Sequence, residues 1–403
     1  MAAAAEPSGA GDGMARILIG TSGWDYKEWV GPFYASPDGL FKQYCSVFST
    51  VEVNSTFYRY PTPSLIRGLA RASPRRFVFS LKMPKLVTHT KRFNPRLGVG
   101  EDVERFLRLV EPLVRADKLG AVLVQLPPVS REEAPYFDEF LDLLPTDRVR
   151  FAVEFRDPSW LVPEVIESLR SRGVAYCILD EPLLPPTTYV TSDFAYIRWH
   201  GRGESPWYYY LYSEEELREW VPRIREVCSA GAELVLGYFN NHFRGFAPRD
   251  ALQMLKLLGL QTFTQEMTLS LMERRWAAES RRRGARCALD ALRSGQGVEG
   301  VLACFTDGRR LARAKEMPDS ALRLLEIGDQ VIRARVKDYI VEVDLRDRVV
   351  RHNCEDWRKG AELGRFCKHV AKLFLALPEG VAMRVLSDIA ENVERWRFIW
   401  VKG

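Results

Sequence analysis

Eight short β-rich runs, most of them separated by a helical stretch, constrain what this chain can fold into more than any other feature. They are RILIGTSG (16–23), TVEVNST (50–56), FVFSLKMP (77–84), AVLVQLPP (121–128), RFAVEFRD (150–157), AYCILDE (175–181), FAYIRWHG (194–201) and ELVLGYFNN (233–241). A crossover helix returns the chain to the same sheet edge only as a parallel strand. Eight such units match a closed (β/α)8 barrel of the TIM type. The competitor is an open doubly wound sheet, but no Gly-rich dinucleotide fingerprint follows the first run. Start signals mark the intervening helices: Asp38-Gly39 before LFKQYCSVF, Thr62-Pro63, and capping-box patterns at Ser130/Glu133 and Ser213/Glu216. The expected layout is a disordered tail at 1–13, with Met14 a candidate start, and then the barrel at 14–262. A basic helical linker at 263–300 and a smaller α+β zinc-finger domain at 301–403 follow.

Side chains alternate faces along a strand, and near the C-terminal end of most runs one face turns polar. Glu52 and Asn54 share a face, as do Ser80 and Lys82, Glu154 and Arg156, and Arg198 and His200. Phe79, Leu81, Val153, Phe155, Ile197 and Trp199 take the helix-facing side. Unpaired charges inside a barrel cost several kcal/mol each. The polar ends are therefore expected to meet one another, or a ligand, at the open mouth. Asp180 and Asn240 are read as completing the ring, with His89 and His242 on the loops beyond. A structural salt-bridge network is the bland alternative; six strands converging with polar ends, and three of the five histidines at one rim, argue against it.

These segments resemble a known family. VEVNSTFYRYP (51–61), FSLKMPKLVTH (79–89), LVQLPP (123–128), EFRDPSW (154–160), RWHG (198–201) and YFNN (238–241), with the opening GTSGWDYKEWVGPFY (20–34), are similar to the YecE-like domain-of-unknown-function family across about residues 16–260. The resemblance implies a TIM-type barrel and supplies no reaction. It carries over chiefly Glu52, Asn54, Lys82, Glu154, Arg156, His200 and Asn240. The loop after the His-Gly pair departs from the usual pattern, reading GRGESPWYYYLYS.

Chemically, Lys82, Arg156 and Arg198 suit an anionic group, since a planar guanidinium grips phosphate or carboxylate in bidentate fashion. Glu52, Glu154, Asp180 and His200 are candidates for general acid–base work, and the same four offer donors for one metal ion, a second metal that stays open. The dense His/Asp/Glu clustering of a multi-metal nuclease barrel is absent from the sequence.

Near the C-terminus stands HNCEDWRKGAELGRFCKH (352–369). QVIRARVKDYIVEVDL (330–345) and RVVRHN (348–353) alternate like strands of a hairpin turning at Arg346-Asp347. In extended chain, His352 and Cys354 face one point. Cys367 is expected just before a helix carrying Val370, Leu373, Phe374 and Leu377 on one face, with His369 in its first turn. Four N/S ligands with no open position describe one structural zinc per chain. The arrangement, over about residues 330–377, resembles the SWIM zinc finger, whose pattern is Cys-x-Cys, a spacer, then Cys-x-His; His352 here replaces the first cysteine. That resemblance implies binding to DNA or to protein partners.

Charge points the same way. Residues 261–403 hold 27 Lys+Arg against 21 Asp+Glu, whereas the rest is near balance. Arg274, Arg275, Arg281, Arg282, Arg283 and Arg286 are candidates for phosphate contacts, DNA or RNA, which makes binding salt-dependent; a solvated helix face is the alternative. An apolar content of 46% with 28% charged residues fits a globular chain. No apolar run approaches the ~18 residues of a membrane span, and the N-terminus lacks the basic leader and apolar core of a signal peptide. Seven scattered cysteines do not form a disulfide framework, so a reducing, cytoplasmic setting is expected. The leading expectation is a barrel hydrolase acting on nucleic acid, a phosphodiesterase or repair activity served by the finger. The alternatives are an enzyme of a small anionic metabolite and a non-catalytic zinc-binding adaptor.

Overall fold

The computed structural model describes residues 15–204 and 206–402; the expected tail and Met14 lie outside the described residues. Two compact units divide the chain, Met1–Ser270 and Leu271–Gly403.

In the first unit all eight expected strands form: β1 (Arg16–Thr21), β2 (Thr50–Val53), β3 (Val78–Lys82), β4 (Leu119–Gln125), β5 (Phe151–Glu154), β6 (Ala175–Asp180), β7 (Phe194–Trp199) and β8 (Leu234–Phe239). They pair in parallel in the order β1-β8-β7-β6-β5-β4-β3-β2. The ring nearly closes between β1 and β2, where a bridge joins Ser22 to Glu52 and the Gly23 amide donates to the Glu52 carbonyl at 2.8 Å. Gly20 permits this approach, because a Cβ there would collide with the Thr50 carbonyl oxygen. Inside, Leu18, Val78, Ala121, Leu123, Ala152, Cys177, Phe194, Tyr196, Leu236 and Tyr238 form the packed lower layers. The polar residues are thereby displaced upward, to the C-terminal ends of the strands.

Helix starts follow local chemistry, with one correction. Thr62 caps Pro63–Ala72, accepting from the Leu65 amide, and Ser213 with Glu216 forms a reciprocal capping box on Glu214–Ser229. Ser130 and Glu133 make only a turn, in which the Ser130 amide donates to the Glu133 carboxylate at 2.9 Å; the helix begins later, at Phe137. Pro135 is the physical reason, since it disfavours helical geometry at Ala134.

The second unit holds an antiparallel-rich sheet in the order β13-β12-β11-β10-β9. Its strands are β9 (Leu322–Ile327), β10 (Val331–Val336), β11 (Tyr339–Asp344), β12 (Val349–His352) and β13 (Arg397–Trp400). The stretch 330–345, read as one arm of a hairpin, is itself a hairpin, because Lys337 adopts φ +54° and turns β10 into β11. A further turn at Arg346-Asp347 leads to β12, and β13 pairs with β12 in parallel. The apolar face of Lys368–Ala376 packs as expected, with Val370, Leu373 and Phe374 fully buried beside Ile332, Ala334 and Val341. The basic linker is a 31-residue helix, Phe263–Arg293, that crosses the unit boundary; its Ala288 and Ala291 belong to the core of the second unit. Cysteine usage needs a correction as well. Cys287 and Cys304, their Cα atoms 5.5 Å apart, form a disulfide, while Cys45, Cys177, Cys228, Cys354 and Cys367 are free. A spacing of 17 residues along the chain gave no hint of it, because only the return of the chain after the Val298–Leu302 helix brings the two sulfurs together.

Candidate functional site

At the barrel mouth the inward-facing ends of the strands build one buried network. Arg198, 1% exposed, is its centre. It donates from Nη2 to Glu52 Oε1 at 2.8 Å and from Nη1 to Glu154 Oε2 at 2.5 Å. Glu52 also accepts from the Ser22 hydroxyl and the Tyr196 phenol, each at 2.7 Å. The other Glu154 oxygen pairs with Arg156, whose Nη1 reaches Glu181 Oε2 at 2.7 Å. Lys82 donates to Gln125 Oε1 at 2.7 Å and lies 4.6 Å from the centre of the Phe57 ring. Beneath, the Tyr238 hydroxyl bridges Thr50 and Ser80, both at 2.8 Å.

Each group's protonation follows from this packing. Burial opposes ionisation of Glu52, but Arg198, then Lys82 and the Ser22 and Tyr196 hydroxyls, outweigh it and hold its carboxyl below the usual range. For Glu154, burial is likewise overcome, here by Arg156, Arg198 and His200, and the carboxyl stays ionised. Glu181 lacks that compensation, and burial lifts it to about 7 despite Arg156; its Oε1 is buried with no hydrogen-bond partner. Burial, reinforced by Arg198, brings Lys82 down to about 8. His200 is lowered to about 3 by burial and then by Arg156 and Arg198. Its Nε2 faces those two guanidinium groups at 3.2 and 3.3 Å, so Nε2 accepts. The ring proton therefore sits on Nδ1, which requires Asn240, whose Nδ2 stands 3.0 Å away, to rotate its amide and present Oδ1.

Of the sequence candidates, Glu52, Lys82, Glu154, Arg156, Arg198, His200 and Asn240 meet in this network. Asn54 lies beside Tyr26, with its Oδ1 buried and unpartnered. Asp180 does not join them. It accepts from Trp220 Nε1 at 2.6 Å and from Arg202 at 2.9 Å, on the helix-facing side of β6. The reason is parity: Cys177 and Leu179 face inward, so the next inward residue is Glu181. Alternation counted from Cys177 identifies Glu181, and alternation from Arg198 identifies Tyr196. Around the mouth, Tyr26 stacks on His242 at 4.6 Å, and His242 on Tyr208 at 4.9 Å. Tyr209 stacks on Phe243 at 4.0 Å, and both tyrosines reach solvent. His89 packs edge-on against Phe57 and is lowered by burial and by Lys82, Lys85 and Arg156. A cleft of about 650 Å³ lies at the opposite, N-terminal ends of β4 to β7 and contains none of these residues.

In the second unit the opening of the Cys-His module folds as expected. His352 ends β12, Cys354 caps Glu355–Gly360, Cys367 caps Lys368–Ala376, and His369 lies in the first turn. All four are buried, and their donor atoms lie within 4.8 Å of one another. Among the described residues no other group of three or more His, Cys, Asp or Glu is so gathered. His352 Nδ1 donates to the Ile340 carbonyl at 2.6 Å, which leaves Nε2 with a free lone pair, buried and unpartnered. The Cys354 and Cys367 sulfurs accept from the Trp357 and Val370 amides at 3.3 and 3.5 Å. Hydrogen bonding from the Cys367 thiol, then the two imidazoles, drives Cys354 far below the ordinary thiol range; burial pushes Cys367 up. An unpaired imidazole lone pair and a thiolate in a sealed pocket fit a metal ion such as zinc.

The six arginines of the long helix are placed differently from one another. Arg281 donates to the Glu362 carbonyl at 2.6 Å, Arg282 pairs with Glu394 and Arg286 with Glu279. Arg275 is engaged too, while Arg274 and Arg283 project to solvent.

No helix among the described residues is long and apolar enough to cross a membrane. A family model described as "Protein of unknown function DUF72" matches residues 18–272. The UPF0759 protein YunF of Bacillus subtilis is 25% identical over 272 residues, 61% of this chain and 95% of YunF. The UPF0759 protein YecE of Escherichia coli K12 is 29% identical over 170 residues, 41% of this chain and 59% of YecE. Among solved structures, the DUF72 family protein TM1631 of Thermotoga maritima superposes with a TM-score of 0.54 at 34% identity, covering 60% of this chain and 99% of that one. The chain, through its barrel unit, belongs to the DUF72 family.

Proposed function

We propose that the barrel is an enzyme acting on nucleic acid at phosphodiester linkages, with the second unit as a zinc-holding, SWIM-type adaptor for DNA or protein. One observation carries this reading: Lys82 and Arg156 sit at the floor of a mouth flanked by a ladder of stacked rings, Tyr26, His242 and Tyr208. Cations with aromatic faces are what a phosphate backbone with stacked bases requires. In this reading Lys82 and Arg156 hold the phosphoryl oxygens. Glu181, near neutrality and with one free oxygen, takes a proton from the attacking water, and Lys82 returns one to the leaving oxygen. Glu52, Glu154 and Arg198 are positioning residues, and neutral His200 keeps Arg156 in place. His352, Cys354, Cys367 and His369 would hold a zinc ion, which would supply folding energy to the unit.

The test is cleavage and filter binding of labelled single- and double-stranded DNA and RNA at two salt concentrations. Salt-dependent binding with cleavage lost in Glu181→Gln supports the proposal; absence of both binding and cleavage overturns it. A small anionic metabolite is the second reading, favoured by how deeply Glu52 and Arg198 lie. Under that reading oligonucleotides do not compete with the substrate. If Glu154→Gln and His200→Ala leave every activity intact, the barrel is a binding module only.

A further inference from the structure

A cleft of about 450 Å³ in the second unit is lined by Ser280, Arg283 and Gly284 of the long helix, by the Cys287–Cys304 disulfide, and by Asp307 and Arg365. Nothing in the proposed barrel chemistry or the His–Cys quartet uses it. Cys287 is exposed and Cys304 partly buried, so one sulfur of the bond is open to attack. Gly284 keeps the approach narrow: a Cβ there would stand 3.1 Å from the Cys304 carbonyl oxygen.

The electrostatics around the sulfurs are one-sided. The lining carries one acid, Asp307, and it is occupied, since it caps Gly308–Lys315 through the Arg310 amide at 2.8 Å and pairs with the Arg310 guanidinium. Arg283 and Arg365 are exposed and have no ion-pair partner among the described residues. Two free guanidinium groups beside an accessible disulfide attract an attacking thiolate, stabilise the departing one, and match carboxylates on the attacking molecule.

We infer that Cys287–Cys304 is a thiol–disulfide exchange site for an anionic low-molecular-weight thiol seated by Arg283 and Arg365. The incoming thiolate sulfur bonds to Cys287 Sγ. The Cys287–Cys304 bond breaks, and its electron pair leaves on Cys304 Sγ, which takes a proton from water. A second molecule of the thiol, attacking the mixed disulfide, releases Cys287 as thiolate and departs as the symmetrical disulfide. Two thiols are oxidised and one protein disulfide is reduced. The loop anchored by Cys304 hydrogen-bonds both polar backbone atoms of Phe366, through the Phe305 carbonyl at 2.7 Å and the Thr306 hydroxyl at 2.8 Å. Exchange at the sulfurs therefore acts on the segment that leads into Cys367.

The test uses the full, air-oxidised chain with reduced glutathione, 2-mercaptoethanol and cysteamine at equal thiolate concentration, read by peptide mapping of the mixed disulfide at Cys287. Glutathione is expected to react roughly tenfold faster than cationic cysteamine at low salt, and the gap to shrink as salt rises. In Arg283→Gln/Arg365→Gln, a surface double variant, the preference falls to about one, and the rate with 2-mercaptoethanol falls by less than the rate with glutathione. Equal rates for the three thiols, a preference that survives the double variant, or an unreduced map without the Cys287–Cys304 cross-link overturns the inference.

Discussion

Replacing Arg198 by methionine tests whether the barrel mouth is held by charge. The guanidinium is 1% exposed and binds two carboxylates, Glu52 at 2.8 Å and Glu154 at 2.5 Å. At an effective dielectric near 20, each unit-charge pair about 4 Å apart is worth about 4 kcal/mol, some 8 kcal/mol gross. Desolvating the guanidinium cancels several kcal/mol of that. Methionine fills part of the volume, yet it leaves buried Glu52 with hydroxyl donors only and Glu154 with Arg156 as its one guanidinium, so the net cost is about 3–5 kcal/mol near pH 7. For a unit of this size that lowers Tm by roughly 10 °C. The pH dependence gives the sharper check. In the native chain Glu52 and Glu154 are held low, so their stabilisation is present above the unfolded carboxylate pKa and is lost as pH falls. Without Arg198 burial raises Glu52, while Arg156 still opposes the rise at Glu154, so the variant's deficit is largest near neutral pH and narrows toward pH 4.5. Urea titration with pulse proteolysis, which reads the barrel fragment separately from the second unit, measures both. A deficit under about 1 kcal/mol at pH 7, or one that widens in acid, refutes the reasoning.

Four further outcomes are expected. Nitrogen NMR of His200 should show an unprotonated Nε2 from pH 5 to 8, because the group sits near 3; titration near 6.5 contradicts the assigned tautomer. Glu181 is raised to about 7, so its contribution is full below the unfolded value and fades as pH rises through 7. Glu181→Gln should thus gain roughly 2 kcal/mol over the native chain at pH 8 and little at pH 4, by the same urea assay. Cys367→Ser should lose the bound metal, read by elemental analysis, and the second unit should melt earlier; chelator treatment of the native chain should reproduce both effects, while His352→Cys keeps the metal. Tyr208→Ala, which removes the outer ring of the ladder, should weaken single-stranded oligonucleotide binding by about 1–3 kcal/mol and leave inorganic phosphate binding unchanged.

The barrel strands were readable because a parallel strand buried on both faces announces itself in a few residues, and its period of two assigns the face of each side chain. That rule placed Glu52, Lys82, Glu154, Arg156 and Arg198 together before any coordinates. Where it was not applied strictly it failed: Asp180 was taken as inward, although counting from Cys177 selects Glu181. The metal quartet was likewise legible, because each His–Cys or Cys–His pair is two residues apart and local geometry alone aims both donors at one point.

Sequence by itself thus determined the barrel, its polar mouth and the quartet, since all three depend on periodicity and short spacing. Tertiary structure alone decided the partnerships: which carboxylates Arg198 and Arg156 neutralise, and why Glu181 is left near neutrality. It also decided which arginines of the long helix remain free, and that Cys287 meets Cys304. The physical reason is range. Backbone periodicity acts within a few residues, whereas burial and Coulomb energies depend on distances across the fold that no local spacing encodes.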